Sequence, residues 1–309
     1  MKYISYVKGH EVMSKKLFFV FNPLSGKAQI KNNLLKIINT FAKNGWTITV
    51  HPTQCVNDAY NTIKTQAHLY DLLVIAGGDG TLNEGIQALM SLSPTERPTV
   101  GYIPTGTTND FASNLRIPKN MLKAAENIMT GHAFGCDIGA FNDKNFVYVA
   151  AFGAFTDVAY ETPQQNKNLL GQTAYILEGI KKLPNLKSKH VKIKSPEIEI
   201  EDDFIFGMVS NTNSVGGFKA GKAFQAELND GLFEVVLIRN PKNMIELQEV
   251  LANLLTQELT SDAFCVFKTN NISITADEPI QWTLDGEFGG NCENTDIRIE
   301  NKAITFIIG

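Results

Sequence analysis

The period of the hydrophobic pattern changes partway along the chain. Up to about Gly131, short apolar runs alternate with stretches of helical period. Leu17–Phe21, Trp46–Val50, Leu72–Ala76 and Thr99–Ile103 read as strands, and Leu72–Ala76, with no polar interruption, reads as buried on both faces. Between them, Ile30, Leu34, Leu35, Ile37, Ile38 and Phe41 recur at helical spacing and stop at Gly45, a fitting residue beyond a helix end. Ser25 or Asn22 is the expected cap of that helix. Asn57-Asp58 starts a second helix, and Thr81 opens a third whose buried stripe is Leu82, Ile86, Leu89 and Met90. Strand–helix alternation predicts an α/β domain, a parallel sheet with flanking helices.

Beyond Gly131 the runs become short, alternating or aromatic-rich. They are Ala133–Phe141, Asn145–Phe152, Val191–Lys194, Glu197–Glu201, Phe204–Asn211 and Phe233–Ile238, then Cys265–Lys268, Ile272–Ala276, Ile280–Leu284, Asp296–Glu300 and Ala303–Ile308. Many short strands between turn signals predict a β-rich antiparallel second domain, a sandwich or barrel. Asn142-Asp143-Lys144 and Asn229-Asp230-Gly231 are expected hairpin turns. Lys192 and Lys194 are expected to face Glu197, Glu199 and Glu201 across a solvated ribbon. Two helices interrupt the strands, at about Asn168–Leu183 and Pro241–Gln257, the second with proline at its first helical position.

A chain of 309 residues, 43% hydrophobic and 19% charged, is long enough for two such domains and has no disordered bulk. A net charge of −4 supplies no basic field for nucleic acid. No apolar run approaches the roughly 18 residues of a membrane span. Residues 1–12 lack the apolar core of a signal peptide and are expected to be a disordered extension, with the domain beginning at Met13. Cys55, Cys136, Cys265 and Cys292 are scattered without metal-type spacing, as reduced cytoplasmic thiols would be.

The candidate chemistry lies in the loops that follow the first four strands. Gly77, Gly78 and Gly80 sit between a strand and a helix, where backbone N–H groups and the helix dipole favour an anion. No Lys-Ser/Thr pair follows, so this is not a Walker loop; instead Asp79 stands in the turn. A carboxylate beside phosphate is expected where a divalent cation or its water lies between them. Thr81 and Glu84 are also spaced as a capping box. In parallel sheets ligands bind at the carboxyl ends of strands. Asn22–Gly26, Thr53, Gly77–Thr81 and Thr105–Asp110 all fall there, which predicts a nucleotide or polyphosphate site.

In this order, Asn22-Pro-Leu-Ser-Gly26, Gly77-Gly-Asp-Gly-Thr-Leu-Asn-Glu84, Gly106-Thr-Thr-Asn-Asp-Phe-Ala112 and Asp285-Gly-Glu287 resemble the diacylglycerol-kinase catalytic family, which includes bacterial lipid kinases and the sphingosine and ceramide kinases. The resemblance spans residues 22–287. It implies a two-domain lipid kinase fold: an α/β nucleotide-binding domain over residues 13–135, to which 297–309 return, and a lipid-substrate domain over 136–296. It places ATP on Asn22, Pro23, Leu24, Ser25, Gly26, Thr53, Gly77, Gly78, Asp79, Gly80, Thr81, Leu82, Asn83 and Thr107. It also makes Glu287, with Asp285 beside it, the acceptor of the lipid hydroxyl's proton. Either carboxylate is chemically competent. A magnesium ion is implied at Asp230 and the carbonyls of Glu227 and Leu232, with Asp79 in the same metal–water network. Asn229 stands where a second acid would fit.

The function implied is transfer of the γ-phosphate of ATP to a lipid hydroxyl, diacylglycerol first among the acceptors, by a cytoplasmic protein in peripheral contact with the inner face of the membrane. Phe152, Phe155, Phe218 and Phe224 are candidates to line the lipid cleft, with core packing the competing role. Lys27, Lys181, Lys182 and Lys187 are candidates for anionic headgroups, with plain solvation competing. Free strand edges are compatible with a homodimer. The competing functions are an NAD kinase, which shares the Gly-Gly-Asp-Gly-Thr turn, and a catalytically silent nucleotide- or lipid-binding regulator.

Overall fold

The computed structural model describes residues 15–107, 109–153, 188–212, 227–256, 258–259 and 261–309. The helix expected over 168–183, the extension 1–12, and Phe155, Phe218, Phe224, Lys181, Lys182 and Lys187 lie outside the described residues.

The first half builds β1 (Lys16–Phe21), α1 (Ile30–Lys43), β2 (Thr47–Pro52), α2 (Asp58–Gln66), β3 (Leu72–Gly77), α3 (Asp79–Met90), β4 (Thr99–Pro104), α4 (Asp110–Asn114) and α5 (Met121–Thr130). Strands β2, β1, β3 and β4 lie side by side, every pair parallel. All six residues of β3 are buried, which is why its sequence carries no alternation. Ile37, Phe41, Ile63, Leu82, Ile86 and Leu89 bring the helices onto the sheet in one core.

The second half comprises β5 (His132–Phe141), β6 (Lys144–Phe146), β7 (Val149–Gly153), β8 (Lys189–Lys194), β9 (Glu199–Ser210), β10 (Phe233–Arg239), α6 (Met244–Thr256), β11 (Phe264–Thr269), β12 (Asn271–Leu284) and β13 (Glu287–Ile308). Its described pairings are antiparallel, apart from the join to β4. The long strands β9 and β12 each pair with β8 at one end and with β7 at the other, closing a small ring. Trp282 fills its interior, 5.0 Å from Phe141 and 4.9 Å from Phe152 between ring centres. Phe152 is therefore core and does not line a cleft.

The halves join through β13. It pairs with β12 and β5 antiparallel and with β4 in parallel at Phe306–Val100, so one hydrogen-bonded network of strands crosses the molecule. Phe306 is fully buried, 5.1 Å from Phe111 between ring centres. The ribbon bulges at Asn301–Ala303, and the buried Asp137 fills the bulge by accepting the Lys302 N–H at 2.6 Å.

Several local expectations change. Helix α3 begins at Asp79, two residues before Thr81, with Gly78 as its cap. No capping box forms: Thr81 Oγ1 accepts from Asn22 Nδ2 at 3.3 Å, and Glu84 accepts the Asn57 N–H at 3.0 Å from α2's entrance. The residue before α1 is Gln29, without a side-chain cap, because Asn22 and Ser25 belong to the loop before it. Asn243, whose Oδ1 accepts the N–H groups of Ile245 and Glu246, opens α6, so Pro241 precedes the helix. The runs at 197–201 and 204–211 are one strand, β9, whose acidic end pairs with the lysines of β8 and whose apolar end enters the core. Strands β12 and β13 likewise each join two predicted runs. The run Asn145–Phe152 is broken at Val147-Tyr148 because those N–H groups donate to a side chain instead of a neighbouring strand. Asn142-Asp143 is a two-residue hairpin, whereas Asn229-Asp230-Gly231 lies in the long connection from β9 to β10.

Because Phe306 packs where the halves share a strand, Phe306→Ala should cost about 3–5 kcal/mol of stability. Leu35→Ala, at a residue 76% exposed, should change it by less than about 0.5 kcal/mol. Urea denaturation of both variants measures the difference.

Candidate active site

The four loops at the carboxyl ends of β1 to β4 are stitched together by backbone. Asn22 N–H donates to the Ala76 carbonyl (2.8 Å), Thr53 N–H to Phe21 (2.9 Å) and Thr105 N–H to Gly77 (2.9 Å). Asn22 Oδ1 accepts the Leu24 N–H at 2.9 Å, fixing the turn that carries Pro23, Ser25 and Gly26. Gly26 has φ +56° with its α-carbon facing the Thr105 backbone, and a Cβ on Gly106 would lie 2.6 Å from the α-carbon of Gly78. Only glycines allow three loops to approach this closely. Ser25 is buried, Thr53 half-buried, and Leu24 and Thr107 exposed. Leu82 lies in the core, and only its backbone N–H, bonded to the Gly78 carbonyl, reaches the turn. Thr105, which opens the Thr105–Asp110 loop, is buried with an unpartnered hydroxyl in this loop cluster.

Asp79 is the first residue of α3, beside the N–H groups that the first helical turn leaves free. Its Oδ2 accepts the Asp110 N–H at 3.3 Å, while its Oδ1 is buried without a partner. Burial pushes the carboxyls of both Asp79 and Asp110 up, and the charge of Asp79 raises Asp110 further. Asp110 closes the Thr105–Asp110 loop and starts α4. Its backbone is set by Asn109, which at φ +53° bonds Gly106 through both amide atoms, at 2.9 and 2.7 Å. An orphaned buried oxygen next to a second acid suits a hydrated divalent cation completed by phosphate oxygens. Among the described residues, no three or more His, Cys, Asp or Glu side chains form a metal cluster.

The Asp285-Gly286 pair joins β12 to β13 as a two-residue turn with φ +51° and +86°, the backbone that Asp-Gly favours. Asp285 accepts four N–H donors: Tyr148 (3.0 Å) and Val149 (3.1 Å) on Oδ1, and Val147 (2.7 Å) and Asn83 Nδ2 (2.7 Å) on Oδ2. Burial nevertheless pushes its carboxyl up to about 6 against those donors. Glu287, two residues on, is exposed to a cleft of about 520 Å³ between α2, α3 and the second half. Its walls include Asn57, Tyr60, Asn83, Gln87 and Asn145. The two acids of Asp285-Gly-Glu287 are thus unlike: one is enclosed by donors and the other faces open space.

The Glu227–Leu232 turn is held separately. Asp137 Oδ2 accepts the Gly231 N–H at 2.8 Å, and Asp230 Oδ1 accepts the Leu232 N–H at 3.0 Å. The Lys268 ammonium lies 3.4 Å from Asp230 and 3.0 Å from Glu234, a buried acid pushed up to about 7 by burial.

Residues 16–141 match the diacylglycerol kinase catalytic domain, and residues 150–308 match the YegS C-terminal NAD kinase beta sandwich-like domain. The chain is 37% identical over 279 residues to the diacylglycerol kinase of Bacillus subtilis (strain 168), covering 89% of this chain and 91% of the relative. It is 32% identical over 296 residues to the diacylglycerol kinase of Staphylococcus aureus (strain MRSA252), covering 95% and 93%. A crystal structure of a diacylglycerol kinase from Bacillus anthracis str. Sterne shares the fold with a TM-score of 0.73 at 22% identity, covering 96% of this chain and 97% of that one. The two-domain architecture and the enzyme class follow from these matches: the chain belongs to the bacterial diacylglycerol kinase catalytic-domain family.

Proposed function

We infer that the protein is an ATP-dependent lipid kinase that transfers the γ-phosphoryl group to the hydroxyl of diacylglycerol, yielding phosphatidic acid. The relatives' activity supports the enzyme class and the acceptor type. The observation that carries the residue roles is the contrast between a donor-enclosed Asp285 and a cleft-facing Glu287. Phosphoryl transfer is driven chiefly by positioning and charge stabilisation, with one carboxylate to take the acceptor's proton. Glu287 is that base. Asp285 has no free lone pair facing the cleft and holds the turn on which Glu287 sits.

ATP lies on the Asn22–Gly26 loop, Thr53, the Gly77–Leu82 segment and the Thr105–Thr107 loop, with phosphates at the glycine turn, while the Asn83 amide is turned to Asp285. Leu82 contributes backbone alone. Asp79 would hold the water shell of a magnesium bound with ATP, which would supply neutralisation of phosphate charge. A second magnesium would be held by Asp230 and the carbonyls of Glu227 and Leu232, Lys268 remaining with Glu234. Residues 13–135 with 297–309 form the nucleotide domain and 136–296 the lipid domain. The pairing of β13 with β4 supports that return, although β5 and β13 run continuously through both boundaries. No described helix is long and apolar enough to cross a membrane. ATP comes from the cytoplasm and the acceptor from the bilayer, so we place the enzyme as a peripheral protein on the membrane's inner face. Among the described residues β2 and β11 are edge strands, whose backbone groups suit a homodimer.

Glu287→Gln should lower kcat for transfer from labelled ATP to dioleoylglycerol in mixed micelles by about 10²–10⁴-fold while leaving ATP affinity unchanged. Retained phosphorylation would sink the assignment. Gly106→Ala, by forcing its loop off Gly78, should raise the KM for ATP more than it lowers kcat.

The pH dependence has a definite sign. The donors around Asp285 require its anion, and its pKa is raised to about 6. Protonation therefore begins well above ordinary carboxylate pH, so kcat should be full above about pH 7 and fall as pH drops through about 6. An activity profile flat down to pH 5 would contradict this.

A further inference from the structure

Helix α3 carries a polar stripe at Asp79, Asn83 and Gln87, spaced four residues apart and therefore on one face. The opposite face, Leu82, Ile86 and Leu89, is buried in the core of the first domain, so the helix cannot rotate without dismantling that core. The three polar residues do different things. Asp79 stands at the phosphate end. Asn83 Nδ2 donates to Asp285 Oδ2 at 2.7 Å, and Gln87 Nε2 donates to the Asn145 carbonyl at 2.5 Å. Both acceptors belong to the second domain. Asn145 is in β6, and β6 leads directly into Val147–Val149, whose N–H groups complete the shell of Asp285. The two contacts therefore grip one unit, the β6–β7 corner locked to the Asp285-Gly286 turn, whose next residue is Glu287.

We propose that Asn83 and Gln87 are positioning residues that fix the distance between the phosphate end of α3 and the Glu287 carboxylate. Asn83 thereby acts through Asp285 and not as a direct ligand of ATP. A misplacement of about 1 Å in such an arrangement costs up to about 10²-fold in rate. The cleft into which both amides open is the one that Glu287 faces, so a shift of the second domain along α3 would move the base relative to the phosphates without changing the glycine loops. This inference rests on the reading of Glu287 as the base.

The experiment compares Asn83→Leu, Gln87→Met, Gln87→Lys and Glu287→Gln, with magnesium-ATP and dioleoylglycerol in mixed micelles, and melting temperature as a check on folding. Leu and Met keep the volume and remove the donor; Lys restores a donor of similar reach at position 87. The expected result is a fall in kcat of about 10²-fold for Asn83→Leu and about tenfold for Gln87→Met. The KM for ATP should stay within about twofold, and Gln87→Lys should recover most of the lost kcat. A rise in the KM for ATP with kcat retained in Asn83→Leu would return Asn83 to the nucleotide site and overturn the proposal. So would lowered melting temperatures with kcat unchanged, or failure of Gln87→Lys to exceed Gln87→Met. Glu287→Gln separates the layers. If it retains transfer, the base assignment fails. If it is inactive while both amide variants behave as wild type, only the positioning role fails.

Discussion

The enclosed carboxylate of Asp285 is the contact on which the active arrangement depends. A carboxylate removed from water is costly unless its lone pairs are met by donors. Here three consecutive backbone N–H groups and one amide converge on it. The N–H groups of Val147 and Tyr148 are thereby withdrawn from strand pairing, which explains why β6 and β7 are separate strands. The fourth donor comes from the first domain, so the same carboxylate that closes a local turn also ties the domains together. Its raised pKa shows that burial outweighs even this set of donors.

A second constraint is the close approach of the nucleotide loops. Parallel strands end in loops with unpaired N–H groups, and a phosphate site forms only if those loops lie nearly in backbone contact. Gly26, Gly78 and Gly106 permit that approach. Asp79 and Asp110 then place two acids, both harder to ionise than usual, beside the loops proposed to hold the polyphosphate. Their charge would be tolerable where a cation shared it. At the Glu227–Leu232 turn the Lys268 ammonium lies between Asp230 and the buried Glu234, so a second magnesium at Asp230 would have to take over a charge that Lys268 now shares.

Much of this was legible in the residues. Local periodicity located β1 to β4 and the helices between them, since a strand buried on both faces and an amphipathic helix each write their environment into the nearest few residues. The glycine loops were equally local signals. The β-rich half was less legible: β9, β12 and β13 each read as two runs, because a long strand that crosses from solvent to core changes its pattern midway. The Thr105–Asp110 loop was legible as a unit, but the burial of Thr105 and half-burial of Asp110 were not, because nothing nearby in sequence distinguishes an enclosed polar group from one that faces water.

By itself, then, the sequence determined the order of elements, the glycine-rich loops at the strand ends and the Asp-Gly turn, all of which depend on neighbours within about ten residues. Only the tertiary structure decided which acid of Asp285-Gly-Glu287 is enclosed and which is free, since that choice depends on N–H groups some 136 to 202 positions away. It also decided that Asn83 faces the second domain and that β13 is one strand serving both halves. Hydrogen-bond partners separated by such lengths of chain leave no local pattern, because each partner is an ordinary polar residue until the fold brings the other to it.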